Sequence, residues 1–286
     1  MTTSIVYLNG EYLPLDQACV PVLDRGFIFG DGVYEVIPVY GGKAFRLEHH
    51  LQRLKNSMQA VRITNPLSDE EWSTIIDGVV ARNDGGDQSI YLQITRGVAR
   101  RDHRFPDDIR PTIFVMSNLF EPVAKEQLEQ GVAAITLDDI RWQYCSIKSI
   151  ALLPNILLRQ QAVEQGAAEA ILLRNGEVTE GAASNVFIVK AGVIITPPKT
   201  DCLLPGITRD LLVEQAEAQG LPVREANINQ TELETADEIW LTSSTKEILP
   251  VTHLNGQVVG SGQPGKVWHQ MYDLYQEYKQ TLRQKD

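Results

Sequence analysis

A chain of 286 residues with 43% hydrophobic content is long enough to bury full cores in one or two domains. Its 37 acidic and 26 basic side chains give a formal net charge of -11 and a sequence pI near 5.0, so nucleic acid and anionic membrane surfaces are excluded as expected partners and small molecules are favoured. The opening Met-Thr-Thr-Ser-Ile-Val-Tyr-Leu-Asn-Gly has neither a basic region nor a long apolar stretch; no signal peptide or membrane span is expected, and the expected address is cytoplasmic.

The first half predicts strands joined by tight turns: Ile5 to Leu8, Asn9-Gly10, Tyr12 to Leu15, then Gly32 to Tyr40, Gly41-Gly42, and Lys43 to Arg46. Helices are expected over Leu47 to Val61 and Asp69 to Asn83, the second opened by Ser68-Asp-Glu-Glu71, which has capping-box form. Strands return at Ser89 to Arg96 and Thr112 to Asn118, and the charged, proline-bearing stretch 119–127 is expected to link two domains, 1–118 and 128–286.

In the second half, strands are expected near Val132 to Leu137, Ala170 to Arg174, Val186 to Val189, Val193 to Thr196 and Glu238 to Thr242. Helices are expected over Pro154 to Gln165, Thr208 to Ala218 and Gly265 to Arg283, with a hairpin turn at Asn255-Gly256. The sum is α/β in class (α+β in its mixed, largely hairpin-connected sheets), with two domains.

Several tempting motifs fail on context. Gly260-Ser-Gly-Gln-Pro-Gly265-Lys266 satisfies G-x-G-x-x-G, but no hydroxyl residue follows its lysine and no following strand or ribose-binding acid is expected. Gly30-Asp-Gly32 has Glu35 where the third glycine should be. Cys19, Cys145 and Cys202 and the five histidines show no disulfide framework or metal spacing, so reduced thiols and no metal are expected.

Lys148 stands out. It is the lone charge in Tyr-Cys-Ser-Ile-Lys148-Ser-Ile-Ala-Leu-Leu, a run expected to be a strand of the second domain. An apolar setting favours the neutral amine, the form that attacks a carbonyl to make a Schiff base. Taken alone, such a lysine is more often an edge residue whose ammonium snorkels to water. Glu180, in Val-Thr-Glu180-Gly-Ala-Ala-Ser-Asn-Val-Phe, and the turn Leu204-Pro-Gly206-Ile207-Thr208 supply what an electron-sink cofactor needs besides the lysine: a carboxylate for a ring nitrogen, and a helix start for a phosphate.

With these segments Asp24-Arg-Gly-Phe-Ile-Phe-Gly-Asp-Gly-Val-Tyr34-Glu-Val and Glu48-His-His50-Leu-Gln-Arg53-Leu, the chain resembles the fold-type IV pyridoxal-phosphate enzymes over essentially its whole length. The resemblance implies a two-domain fold with the cofactor lysine in the second, pyridoxal 5'-phosphate as cofactor and a homodimer. It also implies that Lys148 is catalytic and that Glu180, Arg53, Ile207, Thr208, Ser243 and Ser244 bind the cofactor with it. Arg101-Asp-His103 resembles the subgroup that acts on D-amino acids. There Arg101 and His103 reach across to the neighbouring subunit and, with Tyr34, hold the substrate carboxylate; Arg96 is the next candidate. His50 is implied to support the carboxylate-binding loop. The implied activity is ping-pong transfer of an amino group from a D-amino acid such as D-alanine to a 2-oxo acid such as 2-oxoglutarate. A branched-chain L-amino acid aminotransferase or an aminodeoxychorismate lyase of the same fold is the alternative. Ala182, Ala183 and Pro205 depart from the pattern, where related enzymes carry Ser-Ser and a lysine.

Overall fold

The computed structural model describes residues 4–83 and 85–284. They form two compact units. The first takes the chain up to Phe120 with Ile147–Leu152 and the end of the chain from Leu282, and the second takes Glu121–Ser146 and Leu153–Thr281.

In the first unit β1 (Ile5–Leu8) and β2 (Glu11–Pro14) turn at Asn9 and Gly10, both at positive φ, as the Asn-Gly pair requires. A short helix absent from the sequence expectation, α1 (Arg25–Phe29), is capped by Asp24, whose Oδ1 accepts from the Gly26 amide. Five residues containing a glycine carry no helical period, which is why it is invisible in the pattern. Then come β3 (Gly32–Tyr40), β4 (Lys43–Ala44), α2 (Leu47–Ala60), α3 (Asp69–Arg82), β5 (Gln88–Thr95) and β6 (Thr112–Leu119). The expected capping box holds α3: Ser68 Oγ accepts from the Glu71 amide and Glu71 accepts from the Ser68 amide. The sheet is antiparallel in the order β2-β1-β6-β5-β3-β4, and α2 and α3 cover one face with Leu51, Leu54, Trp72 and Ile76.

The second unit contains α4 (Lys125–Gln130), a helix that begins in the stretch expected to be a linker and runs past it, then β7 (Val132–Asp138), α5 (Leu153–Glu164), β8 (Glu169–Arg174), β9 (Glu177–Gly181), β10 (Asn185–Lys190) and β11 (Val193–Thr196). It continues through α6 (Ile207–Ala218), β12 (Val223–Glu225), α7 (Gln230–Glu234), β13 (Glu238–Ser243), β14 (Glu247–Leu254), β15 (Gln257–Val258) and α8 (Lys266–Gln284). The sheet runs β12-β11-β10-β13-β14-β7-β8-β9, with β15 on β14; β11/β12, β14/β7 and β7/β8 are the parallel pairs. Both sheets and their helices accord with the mixed α/β expectation.

Two expectations about Lys148 change. The segment around it is no strand: Ser149 makes a single bridge to Val33, and Lys148 is half-buried rather than fully enclosed. It also lies in the long connection from β7 to α5 and groups with the first unit, whereas the expectation put it with the second half. The physical reason is local: the Tyr34 amide donates to the Lys148 carbonyl at 3.0 Å and the Ile150 amide to Gly32 O at 3.1 Å, so the peptides pair with the start of β3.

The glycine-rich decoy is closed by the fold. At the start of α8 the Val267 and Trp268 amides donate to Glu238 at 3.0 and 2.8 Å, so a carboxylate of the chain takes the place a nucleotide phosphate would need.

Candidate active site

The first unit gathers one set of polar groups on α2 and β3. Alternation in β3 points Val33, Glu35, Ile37 and Val39 to the core, all fully buried, so Glu35 is a carboxylate at an apolar position. It is satisfied from α2. Arg53 Nε and Nη2 donate to its two oxygens, each at 2.8 Å, and His50 Nδ1 lies 2.8 Å from Oε2. His50, Arg53 and Ser57 recur at helical spacing on one face. Burial raises the Glu35 pKa, but the Arg53 guanidinium and then His50 outweigh it and hold the carboxyl well below its ordinary range. Burial pushes His50 down, against the pull of Glu35, so the ring is neutral near pH 7. Facing a carboxylate, Nδ1 is assigned the proton, and Nε2 is buried without a hydrogen-bond partner among the described residues.

Lys148 sits beside this set. Its amide donates to Ser57 Oγ at 3.2 Å, its carbonyl accepts from Tyr34, and its Nζ lies 4.3 Å from the centroid of the Tyr34 ring. Tyr34 pairs in register with Gln93 and its ring is 5.7 Å from that of Tyr91, whose hydroxyl donates to Gln93 Oε1 at 2.6 Å. Burial, then Tyr34, pushes the Tyr91 hydroxyl up to about 12. Arg101 and His103 are exposed on their loop, against Phe29 at 5.3 and 5.5 Å. Arg96, the fallback for the carboxylate, is committed elsewhere: it grips Asp31 with Nε and Nη2 at 2.8 and 2.9 Å and donates to the carbonyls of Val61 and Arg62.

The second unit gathers another set. Glu180 on β9 is 4% exposed; Oε1 accepts from Arg141 Nη1 at 2.5 Å, and Oε2 accepts from the Leu204 amide at 3.0 Å and Asn185 Nδ2 at 3.2 Å. Arg141 is itself held by Asp139, through Nε at 2.9 Å and Nη2 at 3.0 Å, and Asp139 also accepts from Arg174 and Thr179. Burial opposes the charge on Arg141, yet Asp139 and Glu180 raise its pKa, and the same guanidinium helps to lower that of Asp139. Sequence reasoning missed Arg141 and Asp139, since an Asp-x-Arg after a strand is common enough to carry no signal.

Asn185 also donates to Leu204 O at 2.8 Å and presses on Gly206, where a Cβ would lie 2.0 Å from its Oδ1, so the turn before α6 demands glycine. Gly206 is the N-cap and gives no side-chain cap to the first turn of α6, Ile207 and Thr208. Thr208 is 2% exposed and its Oγ1 has no partner among the described residues; the same holds for Thr242 Oγ1, whose residue pairs in register with Asn185. Ser243 and Ser244 are half-buried at the end of β13, and Ser243 Oγ accepts from the Lys246 amide. Ala182 is buried and Ala183 exposed, so the lost hydroxyls fall in two environments.

Residues 32–254 match the model of amino-transferase class IV, and the chain belongs to that family. It is 42% identical to a D-alanine aminotransferase of Bacillus licheniformis over 260 residues, 91% of this chain and 92% of that one. Among solved structures, a branched-chain amino acid aminotransferase of Escherichia coli superposes with a TM-score of 0.92 at 29% identity, covering 96% of this chain and 94% of that one. A T.th. branched-chain amino acid aminotransferase with pyridoxamine 5'-phosphate gives 0.93 at 27%, covering 99% and 96%.

Proposed function

We propose that this chain is a pyridoxal 5'-phosphate-dependent D-amino acid transaminase, passing the amino group of a donor such as D-alanine to a 2-oxo acid such as 2-oxoglutarate by a ping-pong route. The observation that carries the reading is Lys148, tied through both peptide groups with its Nζ over Tyr34, in a chain that is 42% identical to a D-alanine aminotransferase. The residues fit the cofactor. Among the described residues Thr208 Oγ1 is a buried hydroxyl without a partner at an uncapped helix start, which suits a phosphate, and Glu180 is a buried acceptor steadied by a permanent cation.

In this reading the Ile207 and Thr208 amides, Arg53, Ser243 and Ser244 would hold the phosphate, Glu180 would serve the ring nitrogen, and Lys148 would hold the group by its amine. When bound, the cofactor supplies the electron sink that lets an amino acid lose its Cα proton. Lys148 Nζ takes up that proton and returns it, as general base and then general acid. Arg141 holds Glu180 in place, and Glu35 does the same for Arg53. Tyr34, Arg101 and His103 bind the substrate carboxylate; the side they fix decides which enantiomer turns Cα-H toward Lys148. A panel of D- and L-amino acids against pyruvate and 2-oxoglutarate tests this. Conversion of D-alanine is expected, and turnover confined to L-leucine and its kin would favour the branched-chain reading that the superposed structures support. A lyase would yield no pyruvate from D-alanine.

Arg101 and His103 act across a homodimer in this reading. Large apolar side chains left exposed support a second copy: Phe27 at 78% and Val22 at 71% in the first unit, Leu153 at 66% and Ile156 at 60% on α5. Arg101→Met is expected to raise KM for D-alanine by about tenfold to a hundredfold, the value of one charge-assisted hydrogen-bonding group. Mixed with inactive Lys148→Ala chains, Arg101→Met chains should regain wild-type KM in part of the population, because one site per mixed dimer then has both residues. No recovery after exchange of subunits would put Arg101 in its own chain's site.

A further inference from the structure

The loop that carries Arg101 and His103 is solvent-exposed, yet it is tied from beneath by buried groups that have no part in the chemistry above. Arg25 and Arg96, 4% and 5% exposed, converge on Asp31. Arg25 Nε and Arg96 Nε both donate to Asp31 Oδ2 at 2.8 Å. Arg25 also reaches the loop: Nη1 donates to the carbonyl of Asp102 at 2.6 Å and to that of Arg104 at 3.3 Å, the residues on either side of His103. The guanidinium of Arg96 stacks 3.8 Å from the ring centroid of Phe105, at the far end of the same loop. The approach to the loop is zipped as well, since the Arg25 amide donates to Gly97 O and the Ala99 amide to Leu23 O. A planar guanidinium makes such a two-sided link without rearrangement, because its donors leave in fixed directions.

We propose that Arg25, held by Asp31, is the positioning residue that sets the Arg101–His103 loop for the substrate carboxylate. The inference rests on the carboxylate role given to that loop above. Arg25 touches no reacting atom; it fixes the carbonyls of the residues on either side of His103, and without it the loop samples orientations of which few present Arg101 and His103 together. Binding then loses affinity in proportion to the competent fraction. The chemical step at Lys148 is untouched, so the effect falls on KM and spares kcat.

Arg25→Met tests this in the cofactor-loaded enzyme. Removing Arg25 leaves Arg96 and Asp31 as a balanced pair, so no unpaired charge is buried and the variant is expected to fold. The expected result is a KM for D-alanine raised about fivefold or more, with kcat and cofactor retention within twofold of wild type, and faster amide hydrogen exchange in residues 100–105. Arg25→Lys, which keeps the charge and can reach one carbonyl, should recover part of the KM; if Arg25→Met does not fold, Arg25→Lys with the exchange readout decides. Arg101→Met is run beside them. If it raises KM while the Arg25 variants leave both KM and loop exchange at wild-type values, the positioning role is overturned and the carboxylate reading stands. If Arg101→Met itself leaves KM unchanged, it is the carboxylate reading that falls.

Discussion

Lys148→Ala is expected to abolish amino transfer while leaving the fold intact. The backbone links of Lys148, to Ser57 Oγ, Tyr34 and the start of β3, run through peptide groups that alanine keeps. Among the described residues the contact of Nζ is the face of Tyr34, a cation–π interaction worth about 0.5–2 kcal/mol, so thermal stability should shift little. Catalysis has no such reserve. A positioned base and acid contributes about 10²–10⁴-fold by itself, equivalent to about 3–5 kcal/mol of barrier, and covalent anchoring is lost with it. Steady-state rates with D-alanine, together with borohydride trapping of the cofactor on the chain, check both parts. Turnover within tenfold of wild type, or continued trapping, would remove Lys148 from the centre of the mechanism.

The largest effect on stability is expected from Glu35→Gln. Glu35 is fully buried between Arg53 and His50, and neutralising it removes the carboxylate charge that both oxygens offer to Arg53 in the core, a loss of about 3–5 kcal/mol. The pH dependence follows from the depressed folded-state pKa. Through the acid range the unfolded chain takes up a proton at Glu35 that the folded chain refuses. The stability from this group is therefore complete above the ordinary carboxylate range and drains away as pH falls from there toward the folded-state value. His50, also depressed, adds in the same direction beginning nearer its own ordinary range. Calorimetry from pH 7 to pH 3 should find Glu35→Gln less stable at neutrality and falling less steeply on acidification. A wild-type Tm loss of equal slope in both proteins would place the acid sensitivity elsewhere. Because Glu35 holds two donors of Arg53, the variant should also retain pyridoxal phosphate less tightly.

Much of this molecule was legible from local rules. The Asn9-Gly10 hairpin, the Ser68 capping box, the span Gly32–Tyr40 and the helix start after Gly206 each depend on residues close together in the chain, so propensity and turn chemistry suffice to find them. Lys148 was visible because a charge in an apolar run contradicts the simplest structural use of a lysine, and Glu180 because an electron-sink cofactor needs a carboxylate beside such a lysine; the Arg101-x-His103 segment, on its own an ordinary solvated basic loop, stood out only through the family resemblance. Glu35 could have been found the same way: alternation in Val33, Glu35 and Ile37 puts a carboxylate on the core face.

Partners distant in sequence were not legible. Arg141 reaches Glu180 across 39 positions, Arg96 reaches Asp31 across 65, and Arg25 reaches Asp102 across 77. No periodicity encodes such pairs, since they exist only once strands have chosen neighbours and chain segments have been folded against each other. The same holds for Lys148, whose apolar surroundings suggested a strand but whose peptides found hydrogen bonds at the start of β3. By itself the sequence determined which residue types were present for amino transfer and roughly which elements carry them. Tertiary structure alone decided which charge neutralises which, because burial makes a paired charge tolerable and an unpaired one untenable, and pairing is a property of three-dimensional proximity.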